Sequence, residues 1–100
     1  MHFLILALRT PDFDAEVLPL HRSYLDALRS RGLLAAHGPF LDQSGGAYLI
    51  HAESLPEAEA VAAADPLSSS GAAEMAVWAW DMTWFGTSAA AQARDDGESR

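Results

Sequence analysis

Phe3-Leu4-Ile5-Leu6-Ala7-Leu8 is an unbroken apolar run closed by Arg9-Thr10-Pro11-Asp12. A run this short with a breaker behind it reads as a buried strand rather than a helix. It is apolar on both faces, so both faces need cover. The far end of the chain makes the same demand. Glu74 to Phe85 reads as a long last strand, and alternation puts Trp78, Trp80, Met82 and Trp84 on one face with Met75, Val77 and Ala79 on the other.

Between these strands the pattern changes period. From about Asp14 to Arg31, Leu18, His21, Leu25 and Leu28 step by three, four and three, which places them on one helical face. Arg22, Asp26 and Arg29 fall on the opposite face, where they can pair along the helix. Pro19 tolerates only a first-turn position, so the regular helix is expected to begin there after a separate turn, and Gly32 closes it. Leu33 to Leu41 reads as a second strand, bulged or at an edge near Gly38-Pro39 because Pro cannot donate to a ladder. Asp42 to Gly46 reads as a turn and Ala47 to Ala52 as a third strand. Ser54 caps a helix with Glu57 at its third position and Pro56 in its first turn. That helix is Ala-rich and runs to about Ala64, where Asp65-Pro66 stops it. Leu67 to Gly71 reads as a loop, and from Gly86 onward the composition is that of a disordered tail.

The order β-α-β-β-α-β predicts an α+β, ferredoxin-like domain over residues 1–85, a four-stranded antiparallel sheet with two helices on one face. Two helices cover only one face. The uncovered face, carrying Trp78, Trp80 and Trp84, is expected to pack against a second copy as a homodimer.

Composition excludes several classes of partner. The net charge is −8, with six Arg and no Lys, which is poorly suited to nucleic acid or an anionic membrane surface. No run is long enough to span a bilayer, and the N-terminus lacks the basic region of a signal peptide. The absence of Cys removes disulfides, thiolate metal sites and a cysteine nucleophile, and fits a cytoplasmic location.

His21 is the only titratable group on the apolar stripe of the first helix, so it needs partners for its ring nitrogens. In this topology the first helix begins, and the second ends, at the same end of the sheet. That brings His21 to Asp65, with the Gly38-Pro39 bend close by and the loop bearing Ser68 free to close over them. An imidazole oriented by a carboxylate beside a pocket suits acid/base chemistry, although spacing alone favours a strut tying two helices together. Tyr24 reads as core or pocket wall and Tyr48 as packing. His37 and His51, on adjacent strands, are candidates to pair across the hairpin. No carboxylate is spaced to complete a metal site, and none is expected. Gly45-Gly46 reads as a hairpin turn, without the pattern of a phosphate loop. The serines at 68–70 have no base at a motif spacing.

His21-Arg22-Ser23-Tyr24-Leu25, followed by Leu28, Gly32, Leu33 and Gly38-Pro39, resembles the YciI-like (YCII-related) domain family. So does Asp65-Pro66-Leu67 followed by Gly71 and a Trp-containing last strand. The resemblance implies a dimeric α+β barrel with a site at His21 and Asp65 and with Gly38-Pro39 near the pocket. It extends to a dehydrochlorinase acting on chlorinated hydroquinones, and in fold to muconolactone isomerases and small antibiotic-biosynthesis monooxygenases. Leu67 departs from the Phe common after Asp-Pro in the family. The expectation is a cofactor-independent enzyme of lyase or isomerase type acting on a small aromatic or enolisable molecule. The alternative is a non-catalytic dimeric module that binds a small ligand or accompanies another enzyme. A cofactor-free oxygenase is a third.

Overall fold

The computed structural model describes residues 1–85, and the tail expected from Gly86 onward lies outside them. β1 (His2–Arg9) forms from the initial apolar run, and β4 (Ala73–Trp80) from the Trp-bearing segment. The two pair antiparallel along their whole length, from His2↔Trp80 to Arg9↔Ala73. The expected extension of the last strand to Phe85 is not formed. β1 begins at His2, so residues past Trp80 find no ladder partner, and Trp84 lies beyond the sheet.

β2 (Leu34–Pro39) and β3 (Gly45–His51) form a hairpin that docks through β3 onto β1. The order is β2-β3-β1-β4, antiparallel throughout. Pro39 therefore sits on an edge strand, as its missing N–H requires. The register irregularity falls between Leu34 and Ala36 rather than at Gly38-Pro39. Gly45 and Gly46 belong to β3 and not to the turn. A Cβ on Gly45 would strike the Ala7 carbonyl oxygen, and one on Gly46 would come within 2.7 Å of Gly38 O. These two positions let three strands approach closely, which explains glycine better than a turn does.

The helices lie on one sheet face. A 3₁₀ turn (Ala15–Val17), capped by Asp14, leads into α1 (Leu18–Ser30), with Pro19 in its first turn. α1 ends at Arg31 and Gly32, whose φ of 75° is the left-handed conformation of a C-terminal glycine. α2 (Leu55–Ala64) starts at Ser54, whose hydroxyl accepts from Glu57 N–H, while Glu57 reaches back to Glu53 N–H. Leu25 and Leu28 of α1 and Ala58 and Ala62 of α2 pack on Phe3, Ile5, Tyr48 and Ile50. The segment expected as a loop after Asp65-Pro66 contains a short helix, α3 (Pro66–Ser69), because Asp65 ends one helix and caps the next. This is a ferredoxin-like α+β fold.

The opposite face carries Leu4, Leu6 and Leu8 from β1 beside Trp78 and Trp80 from β4, with Trp78 61% and Trp80 47% exposed. Among the described residues no helix is long and apolar enough to cross a membrane.

Candidate functional site

Asp65 is the fully buried charged residue of the described chain. The following proline drives it out of the helical region, to φ −64° and ψ 131°, and this ends α2. The same conformation makes it the N-cap of α3, where its Oδ1 accepts from Leu67 N–H at 2.9 Å. A buried carboxylate needs more than one donor. His21 Nδ1 lies 2.9 Å from Oδ1 and 3.0 Å from Oδ2, and Tyr48 Oη donates to Oδ2 at 2.8 Å. Three elements thus converge on one side chain: the first turns of α1, the middle of β3 and the start of α3.

An acceptor already serving an N–H and an O–H is matched by a third donor, which puts the imidazole proton on Nδ1. Nε2 makes no hydrogen bond among the described residues. The ring is only 16% exposed. It lines a cavity of about 380 Å³ between α1, the end of β1 and the β2–β3 hairpin. Leu18, Leu25 and Leu67 give this cavity apolar walls, and Gly38, Gly45 and Gly46, with the Pro39 ring beside them, form a wall that is mostly backbone. The position of Tyr48 between the sheet and Asp65 pushes its phenol well above the ordinary tyrosine range, first by burial and then by the adjacent carboxylate. Tyr48 is therefore a neutral donor.

The sequence reading brought His21, Asp65, Gly38 and Pro39 to one place, and the geometry does the same. Tyr24 and Ser68 do not line the cavity. Tyr24 turns toward α2 and donates to Val61 O at 2.6 Å, with its phenol raised by burial and by Asp65. Ser68 lies within α3, and the residue of α3 that reaches the cavity is Leu67. Tyr48, expected as packing, is the residue that sequence reasoning missed. Its alternation partner Ile50 places it on the helix-covered face, but only the β1–β3 register brings it beneath Asp65. His37 and His51 do not pair. His37 stands opposite Tyr48 and lines the cavity, whereas His51 stands opposite His2, ring centroids 4.0 Å apart. Arg22 was placed on the solvent face, yet it also lines the cavity, with no ion pair among the described residues. Those residues hold no group of three or more His, Asp or Glu able to ligate a metal.

Among solved structures, the chain is similar to 5-chloro-2-hydroxyhydroquinone dehydrochlorinase (TftG) from Burkholderia phenoliruptrix AC1100, in complex with 2,5-dihydroxybenzoquinone. The TM-score is 0.70 at 23% identity, over 83% of this chain and 96% of that one. An antibiotic biosynthesis monooxygenase superposes with a TM-score of 0.53 at 18% identity, over 83% of this chain and 99% of that one. At these identities the likeness is one of fold. The uncharacterized protein YjpA of Bacillus subtilis (strain 168) is 41% identical over 80 residues, which is 80% of this chain and 94% of YjpA. The YCII-related domain matches residues 1–81, from β1 through the end of β4, and with that span and the YjpA identity the chain belongs to the YCII-related domain family.

Proposed function

We propose that the domain is a small-molecule enzyme of lyase or isomerase type in which His21 transfers a proton and Asp65 orients it. The observation that carries this reading is the His21–Asp65 pair at the wall of a largely apolar cavity, with Nδ1 engaged and Nε2 free. Nε2 would take a proton from a C–H or O–H of the bound molecule and return it at another position or to a departing group. Asp65 would hold the ring in one tautomer and offset the imidazolium charge as it forms. Tyr48 and the Leu67 amide would keep the carboxylate in place as positioning groups, the Tyr48 hydroxyl being spent on Asp65 although the residue also borders the cavity. A dehydrochlorination, in which loss of a proton accompanies loss of chloride, is the reaction suggested by the TftG fold neighbour. The substrate class is a small aromatic or enolisable molecule. The sheet face bearing Trp78 and Trp80 would seat a second copy, and the working enzyme would be a cytoplasmic homodimer.

A non-catalytic ligand-binding or accessory module is the second reading, favoured by the completeness with which Asp65 is satisfied. A pair of this kind also serves to tie α1 to α3. The two readings part on His21→Ala. Chloride release from 5-chloro-2-hydroxyhydroquinone, and solvent-deuterium exchange into enolisable ketones, are followed with wild type and variant. The enzyme reading expects turnover in wild type that the folded variant lacks. Equal turnover in both removes His21 from the chemistry.

A further inference from the structure

The cavity is charged in a way that the whole chain is not. The chain carries −8, yet no acidic residue lines the cavity, and its formally charged lining residues are Arg9 and Arg22. Asp65 stands behind the imidazole, fully buried and saturated by its donors. Arg22, the residue after His21 on α1, makes no ion pair with Asp26. The ion pair found among the described residues is His21–Asp65. Arg9, at the end of β1, lies with its guanidinium carbon 4.0 Å from the centroid of the Phe13 ring, and Phe13 is also a cavity residue. Stacking of this kind fixes the guanidinium plane and leaves its N–H edge free for an acceptor. Neither guanidinium makes an ion pair among the described residues, so both keep N–H donors available to an anion in this cavity. A guanidinium fork is also the side chain best matched to the two oxygens of a carboxylate.

We infer that the site takes a small organic acid, with its carboxylate held by Arg9 and Arg22 and its apolar body against Leu18, Leu25 and Leu67. This names the substrate class for the acid/base site proposed above and rests on the cavity being the substrate site. Polar recognition is thereby separated from the chemistry. The arginines would set charge selectivity, and His21 would act on the body of the molecule.

Benzoate and benzamide are the probes, since they share a ring and differ in charge. Their binding to the full chain is followed by the amide NMR shifts of Gly45, Gly46 and Ala47, which line the cavity. The expected result is that benzoate saturates these shifts at a concentration roughly tenfold or more below benzamide. The preference should fall to within about twofold when Arg9→Gln and Arg22→Gln are combined, and should persist in His21→Gln. Both arginines are exposed, so the double variant is expected to fold. Equal affinity for the two probes overturns the inference. So does a preference that survives the double substitution, one that disappears in His21→Gln, or an absence of benzoate-induced shifts at about 50 mM. The two proposals fail separately. A benzoate preference without His21-dependent turnover defeats only the catalytic reading. His21-dependent turnover of neutral compounds without a benzoate preference defeats only the anion inference.

Discussion

Removing the Tyr48 hydroxyl deprives a fully buried carboxylate of one donor while leaving the packing of the ring almost unchanged. Tyr48→Phe should therefore cost what a hydrogen bond to a charged group is worth, about 2 kcal/mol. The same residue carries a pH signature. Its phenol is raised in the folded protein by burial and by Asp65, whereas in the unfolded chain it ionises near the ordinary tyrosine value of about 10. Below that value both states keep the proton, and the full stability is present. Above it the unfolded chain gives up the proton first, so wild-type stability falls by about 1.4 kcal/mol per pH unit from this residue alone. The phenylalanine ring of the variant has no proton to lose. The stability gap between wild type and variant should accordingly shrink from about 2 kcal/mol near pH 8 to about a third of that near pH 11. Tyr24, also raised but less buried, titrates in both proteins and cancels in the difference. Urea unfolding of the two proteins across this range, followed by Trp fluorescence, reads the gap. A gap that is absent near pH 8, or that does not narrow at alkaline pH, would refute the placement of a neutral phenol on a buried carboxylate.

Three other substitutions test the remaining links. Asp65→Asn presents an amide NH₂ where both carboxylate oxygens now accept, and should lower the melting temperature by roughly 10 °C in calorimetry, with an unchanged midpoint counting against the three-donor arrangement. Gly46→Ala places a Cβ 2.7 Å from Gly38 O and should destabilise by about 1–3 kcal/mol in urea titration, and a neutral result would mean the edge strand moves aside freely. Trp78→Glu puts a charge at the centre of the exposed aromatic face. Light scattering at micromolar concentration should show a dimer for wild type and a monomer for the variant, and a monomeric wild type would end the dimer proposal.

The strands were legible because they announced themselves by different local signals: the apolar run at Phe3, the Pro-marked edge at Gly38-Pro39 and the alternation through Trp78 and Trp80, which reads on to Phe85. Helix starts were legible at Pro19 and Ser54 because capping and proline chemistry act over three or four residues. The short helix after Asp65 was not, since an Asp-Pro pair reads equally as the end of one helix and the beginning of another. The length of β4 was not legible either. It depends on where β1 begins, and sequence alternation carries on past the last available partner.

Residue order and local chemistry were enough for the fold class, for an imidazole on an apolar helical stripe, and for the expectation that it lies near Asp65 at one end of the sheet. Periodicity, capping and chain order are local or topological properties, and they suffice for those conclusions. The tertiary structure alone decided that Tyr48 completes the carboxylate's shell and that Tyr24 and Ser68 stand away from the cavity. It alone also placed Arg9, Arg22 and His37 at that cavity. Those outcomes depend on cross-strand register and on which edge of the sheet the helices leave uncovered. Both are fixed by packing between segments distant in the chain, where a shift of one residue would send each side chain to the other face.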